Sequence, residues 1–215
     1  MEKKLIQQQE DFFRTYFQTE ADLKRFIQDK WDYTDDLSPR RMLNNVYRLV
    51  TLSDDMDKIR PDRRDLSVFF LVTCIESLYQ YLTNHPKIQK QEMVIQFFDK
   101  HLSAEDRKIV EDSIHFSLFD DETGYHTQIS IEQFALLLTS IRNNVAHEGN
   151  YWSFSFNEEG YDGNTISVLD SKLQKDEGKK TITYEVSLTY SQFRDICIRT
   201  FISFINAHYN RVHSQ

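Results

Sequence analysis

Six consecutive residues, Arg142-Asn143-Asn144-Val145-Ala146-His147, place a guanidinium, two carboxamides and an imidazole within two turns of chain. A guanidinium offers a planar fork of donors that matches phosphate or carboxylate oxygens. An imidazole gives and takes protons near neutral pH. One group that grips an anion and another that moves a proton suit chemistry at a phosphate ester, provided the chain holds them at one end of a rigid element.

That element is legible. At about 100° per residue, Ile131, Phe134, Ala135, Leu138, Ile141 and Val145 fall on one apolar stripe. The pattern predicts a helix over residues 130–147 that starts at Ser130, which has no Glu three positions on but has Glu132 in the first turn, and stops at Gly149. Arg142 falls at the edge of the stripe, so its stem is expected to be packed and its head partly shielded. Asn143 and His147 are four apart and share the more exposed face, where Asn143 is expected to orient the imidazole. A shielded arginine needs an acid, and Glu76 is the charged residue that interrupts the apolar run Leu66–Leu82. A lone buried carboxylate is costly, so a Glu76–Arg142 pair between two central helices is expected.

The remaining elements follow from periodicity. Residues 5–30 read as helical, with a break or new first turn at Glu20-Ala21-Asp22; residues 1–35 form an N-terminal helical extension. Ser38-Pro39 opens a helix that runs to about Pro61. Residues 65–83 are apolar on nearly every side and belong in the middle of a bundle. After the polar break Asn84-His85-Pro86, an amphipathic helix carries Ile88 to Leu102. Ser103 then caps another helix, expected to reach Leu118, and 120–128 reads as a loop. Beyond Gly149 the period changes to two: Trp152, Phe154 and Phe156, then Ile166 and Val168, then Ile182 to Leu188. Two or three antiparallel strands are expected, ahead of a last helix from Tyr190 to about His208. The fold class is therefore mainly α: a single domain over residues 1–215, a helical bundle with a small antiparallel β insertion at about 151–189 before the C-terminal helix.

Bulk properties narrow the function classes. The 215 residues are 40% hydrophobic and 28% charged, with only 5 Gly and 3 Pro, which favours long helices over tight turns. A net charge of −8 argues against sequence-blind coating of nucleic acid and leaves room only for a local patch. Cys74 and Cys197 lie in apolar helical contexts and read as buried thiols of a reducing compartment. With no secretory signal and no apolar run near the ~20 residues of a span, a cytoplasmic location and no membrane association are expected. His208 and His213 lie near a fraying end without a further ligand, and His85, His101, His115 and His126 read as solvated, so neither a metal nor another cofactor is expected. Lys172, Lys175, Lys179 and Lys180 make one hairpin turn locally basic. That turn could touch phosphates beside the site, although a solvated turn is the plainer reading. The aromatic stretch DFFRTYF reads as core or dimer surface.

Arg-Asn-x-x-x-His at the end of an amphipathic helix, followed by Glu-Gly, resembles the Arg-x4-6-His signature of HEPN domains, and the helical order from about 38 to 210 loosely resembles theirs. The resemblance implies a HEPN-like helical bundle and a metal-independent endoribonuclease, acting as a homodimer with the motif helix at the two-fold interface. It implies that Arg142 and His147 are catalytic and Asn143 supportive; Glu76 and Asn144 are read as supporting residues. RNA would be cut by attack of the 2′-OH on phosphorus, leaving a 2′,3′-cyclic phosphate and a 5′-hydroxyl. Defence, toxin–antitoxin and RNA-turnover roles go with that reading, with an antitoxin or a nucleotidyltransferase as cognate partner. Two alternatives stay open: a non-catalytic interaction or dimerisation module, and a nucleotide-binding protein.

Overall fold

The computed structural model describes residues 2–82, 88–118 and 126–214. The expected break at Asn84-His85-Pro86 lies outside them, as does most of the loop expected at 120–128. Helices α1 (Glu2–Phe13) and α2 (Glu20–Asp32) are joined through a 3₁₀ turn at Arg14–Tyr16. Thr19 caps α2 by accepting from the Asp22 amide, so the break at Glu20 is a true helix start. Helix α3 (Ser38–Ile59) takes Pro39 in its first turn.

Helix α4 (Arg64–Tyr79) lies at the centre. Its Val68, Leu71, Val72, Cys74, Ile75 and Leu78 are all buried, as expected for a run apolar on every side. Around it pack α3, α5 (Lys90–His101) and α7 (Ile131–Asn143), while α8 (Tyr190–His213) closes against α3 and α5. The N-terminal helices bury Phe13, Leu23, Phe26 and Ile27 in the same core. Phe12 of the DFFRTYF stretch, half-buried at the edge of this core, meets the buried Phe13 edge to face.

The fold is thus mainly helical with a small antiparallel sheet, but the sheet is not confined to 151–189. Among the described residues it has four strands in the order β2-β1-β4-β3, formed by β1 (Ile114–Leu118), β2 (Thr127–Gln128), β3 (Thr165–Ser171) and β4 (Lys180–Val186). Helix α6 (Ala104–Ser113), capped by Ser103 as expected, stops five residues before the expected Leu118. Ile114-His115-Phe116-Ser117-Leu118 alternates apolar and polar, and pairing with β4 (Phe116 opposite Tyr184) wins over helix continuation because it buries Ile114 and Phe116 on the sheet's inner face. Trp152–Phe156 does not form a strand. Its alternation instead sends Phe154 and Phe156 under the sheet, with Phe156 stacked on Phe193 at 5.0 Å, and only an isolated bridge joins Asn157 to Thr189.

Both cysteines are free and buried, and burial pushes both thiols up. No helix among the described residues is long and apolar enough to cross a membrane. Two histidines differ from the solvated or fraying reading. His101 is half-buried against Phe204 at 4.9 Å, and burial lowers its pKa. His208 is 4% exposed. Its Nδ1 lies 2.8 Å from Arg211 Nη2, which can only donate, so the proton sits on Nε2 and is donated to Ser38 Oγ. Burial, and then the Arg211 charge, push its pKa down to about 4 from 6.5.

His208 therefore folds neutral. Below about pH 6.5 the unfolded chain binds a proton that the folded chain refuses, so this stabilisation is complete above 6.5 and fades as pH falls toward 4. On the order of 2–3 kcal/mol is expected to disappear across that window. Urea unfolding at several pH values should show a shallower loss for His208→Gln than for the parent; equal slopes would contradict the assignment.

Candidate functional site

The end of α7 collects the motif. Ser130 caps the helix by accepting from the Gln133 amide while the Gln133 side chain accepts from Ser130 N–H, so Gln133 completes the capping box where no Glu is present. Thirteen residues later the α-helix gives way to one π turn over Asn144–Glu148. Such wide turns are uncommon and are frequent at functional sites. The turn is closed at Gly149, whose φ of 64° is the left-handed conformation expected at the helix end, and Asn144 O accepts from the amides of both Gly149 and Asn150. A Cβ at Gly149 meets no neighbour, so Gly149→Ala is expected to cost only the backbone strain, about 1 kcal/mol. The shift in urea midpoint measures it, and no shift would show that the turn relaxes.

Arg142 is 9% exposed. Its Nη2 donates to Glu76 Oε2 at 3.0 Å, which is the pair expected between the two central helices. Its Nη1 donates to Asn143 Oδ1 at 3.0 Å, and Nε is buried without a partner among the described residues. Lys90 at the start of α5 adds a second cation 3.4 Å from the same Glu76 oxygen. Lys90 was not singled out in the sequence, because it follows the polar break and carries no periodic signal.

Three expectations about the motif need correction. Asn143 does not orient His147; it accepts from Arg142 instead. The Asn143 oxygen is taken by the Arg142 guanidinium, which is also held by Glu76. Val145 lies in the π turn, half-buried and not part of the core. Arg142 is buried more deeply than an edge position implies, because α4 supplies Glu76 directly opposite. His147 itself is exposed, on the turn that follows the locked arginine.

The four hairpin lysines have separate fates. Lys179 reaches the helix end, with Nζ 3.4 Å from Asn144 Oδ1 and 3.3 Å from Glu148 Oε1. Lys175 pairs with Glu92 at 3.5 Å, Lys180 with Glu177 at 3.2 Å, and Lys172 Nζ lies 3.5 Å from Lys175 O. The geometry thus brings Glu76, Arg142, Asn143, Asn144, His147 and Lys179 to one end of α7 and leaves the other three lysines outside. Asn144, Glu148 and Lys179 also line an open cleft of about 380 Å³ together with Asn150, Trp152 and Asp170. Trp152 was read only as a strand residue and Asn150 was not singled out, so their place beside the motif was not foreseen. No cluster of metal-ligating side chains occurs among the described residues.

Comparisons with protein-family models, with curated proteins and with solved structures gave no match to this chain.

Proposed function

We propose that the chain is a metal-independent endoribonuclease of the HEPN kind, acting in the cytoplasm on RNA as a homodimer through the motif helix. The observation that supports this reading is the helix end itself. A buried Glu76–Arg142–Asn143 lock is followed at once by an exposed imidazole on a π turn. His147 is assigned the proton transfer between the ribose 2′-OH and the leaving 5′-oxygen. Arg142 is assigned the developing charge on phosphorus: two of its five N–H donors are engaged by Glu76 and Asn143, so the fork retains donors for a phosphate oxygen. Two copies of the motif across a dimer axis would supply both an acid and a base. Defence, an antitoxin-controlled toxin or RNA turnover are the roles such an activity serves, with an antitoxin or nucleotidyltransferase as cognate partner.

One observation favours a second reading. With Arg142 only 9% exposed and held from two sides, the motif could serve solely to fix a helix end for assembly, as in a non-catalytic interaction module. Incubation of structured RNA with the purified protein in excess chelator separates the two. Cleavage that persists in chelator supports the nuclease; intact RNA at micromolar protein supports the module. A nucleotide-binding role would appear instead as heat on calorimetric titration with common nucleotides.

A further inference from the structure

The cleft beside the π turn is bordered by a tryptophan that the fold leaves in solvent. Trp152 is 62% exposed, whereas the other tryptophan, Trp31, is buried and donates to Gln9 Oε1 at 2.8 Å. An exposed indole is an available stacking surface, and the backbone that carries this one is held in place. On its N-terminal side the Asn150 amide is tied to Asn144 O at 3.1 Å, and Asn150 Oδ1 accepts from the Trp152 amide at 3.3 Å. On its C-terminal side both the amide and the hydroxyl of Ser153 donate to Asp65 Oδ2 at 2.8 Å. The ring is braced edge-on by Tyr151 at 4.8 Å. With the backbone fixed on both sides, only the side-chain torsions of Trp152 remain to be ordered when a planar ligand stacks on it.

We propose that this cleft is a nucleobase subsite, in which Trp152 stacks one unpaired base of a single-stranded RNA segment whose neighbouring phosphate lies at the motif turn. The proposal rests on the nuclease reading for the placement of the phosphate and deepens it by naming single-stranded RNA as the substrate class. The volume of about 380 Å³ falls within the range of roughly 300–1,000 Å³ typical of small-ligand sites. Its charges speak for a base over a phosphate. Asp170 and Glu148 both line it, and the one lining cation, Lys179, is already paired with Glu148, which leaves a net negative charge that disfavours a phosphodiester. Asp170 Oδ1 already accepts from Thr181 Oγ1 at 2.8 Å and Glu148 Oε1 from Lys179, which leaves the second oxygen of each for an outside donor. Exocyclic amines of cytosine, adenine and guanine are such donors; uracil offers only its ring N3–H, flanked by two carbonyl oxygens that a carboxylate repels. The subsite should therefore prefer cytosine to uracil, two pyrimidines of equal size.

An uncleavable probe tests the subsite apart from catalysis. A 2′-O-methyl hexacytidylate, labelled for anisotropy, is titrated against the full chain while tryptophan fluorescence is followed. The expected result is quenching whose midpoint matches the anisotropy midpoint, with weaker binding of 2′-O-methyl hexauridylate. Trp152→Ala should weaken binding roughly 5- to 100-fold, the usual loss of one base–aromatic stack. Trp152→Phe should abolish the quenching yet keep affinity within about threefold, since a phenyl ring still stacks. Asp170→Asn should narrow the gap between the two probes. Binding without quenching, unchanged affinity in Trp152→Ala, or no binding of either probe would each overturn the subsite. Self-association abolished by Trp152→Ala without any quenching would overturn it in favour of a protein interface at Trp152, Ile166 and Val168, which are all exposed. Quenching without cleavage of ordinary RNA would leave the subsite standing and remove the nuclease; cleavage without quenching would do the reverse.

Discussion

Glu76→Ala is expected to destabilise the protein by about 3–5 kcal/mol, because it strands a buried guanidinium between two central helices. Arg142 is 9% exposed and its Nη2 has Glu76 as its partner, so little solvent is at hand to replace the lost carboxylate. Lys90 provides the control. It contacts the same carboxylate at 3.4 Å but from a side chain that is 64% exposed, so Lys90→Ala should cost less than about 1 kcal/mol. Removing both members of the buried pair should cost less than the sum of the two single changes, since the double variant leaves no unpaired charge. Urea midpoints of the parent, Glu76→Ala, Lys90→Ala, Arg142→Ala and the Glu76/Arg142 double variant decide the matter. A Glu76→Ala variant within about 1 kcal/mol of the parent would show that the pair does not hold α4 and α7 together.

His147→Ala is expected to lower RNA cleavage by about 10²-fold or more, the usual worth of a positioned acid or base, while leaving the fold untouched. The second half of that statement comes from the structure: His147 is exposed, and none of the hydrogen bonds among the described residues uses its imidazole. The urea midpoint should therefore stay where it is. Arg142→Ala differs in kind. It should lose activity and stability together, because the same guanidinium is both the proposed anion grip and half of the buried pair. An activity loss in His147→Ala accompanied by an equal stability loss would turn the imidazole from a proton carrier into a packing residue.

The sequence carried those features whose cause is local. Ser103 and Gly149 announce helix ends because a side-chain acceptor and a left-handed residue are what helix ends require. Glu76 and Arg142 could be paired across sixty-six residues because each was anomalous by itself: an acid in an apolar run and a cation at the edge of an apolar stripe. What stayed hidden depends on tertiary partners. Ile114 and Leu118 are four apart and fit a helix as well as a strand, and only β4 decides for the strand. The π turn has no signature in Asn144–Glu148, so the α-helical reading ran straight through it. His208 looked like part of a frayed end because Ser38, which accepts its proton, is 170 residues away. Trp152 alternates with Phe154 and Phe156, yet the two phenylalanines are buried beneath the sheet without strand pairing and the indole is left in solvent.

The most direct test of the proposed chemistry is the identity of the ends left on RNA after incubation with the purified chain in excess chelator. A 2′,3′-cyclic phosphate facing a 5′-hydroxyl, formed by the parent and nearly absent with His147→Ala, is the expected result. Uncut RNA, ends bearing a 5′-phosphate, or equal cleavage by the His147 variant would contradict it and leave the locked arginine as a structural device alone.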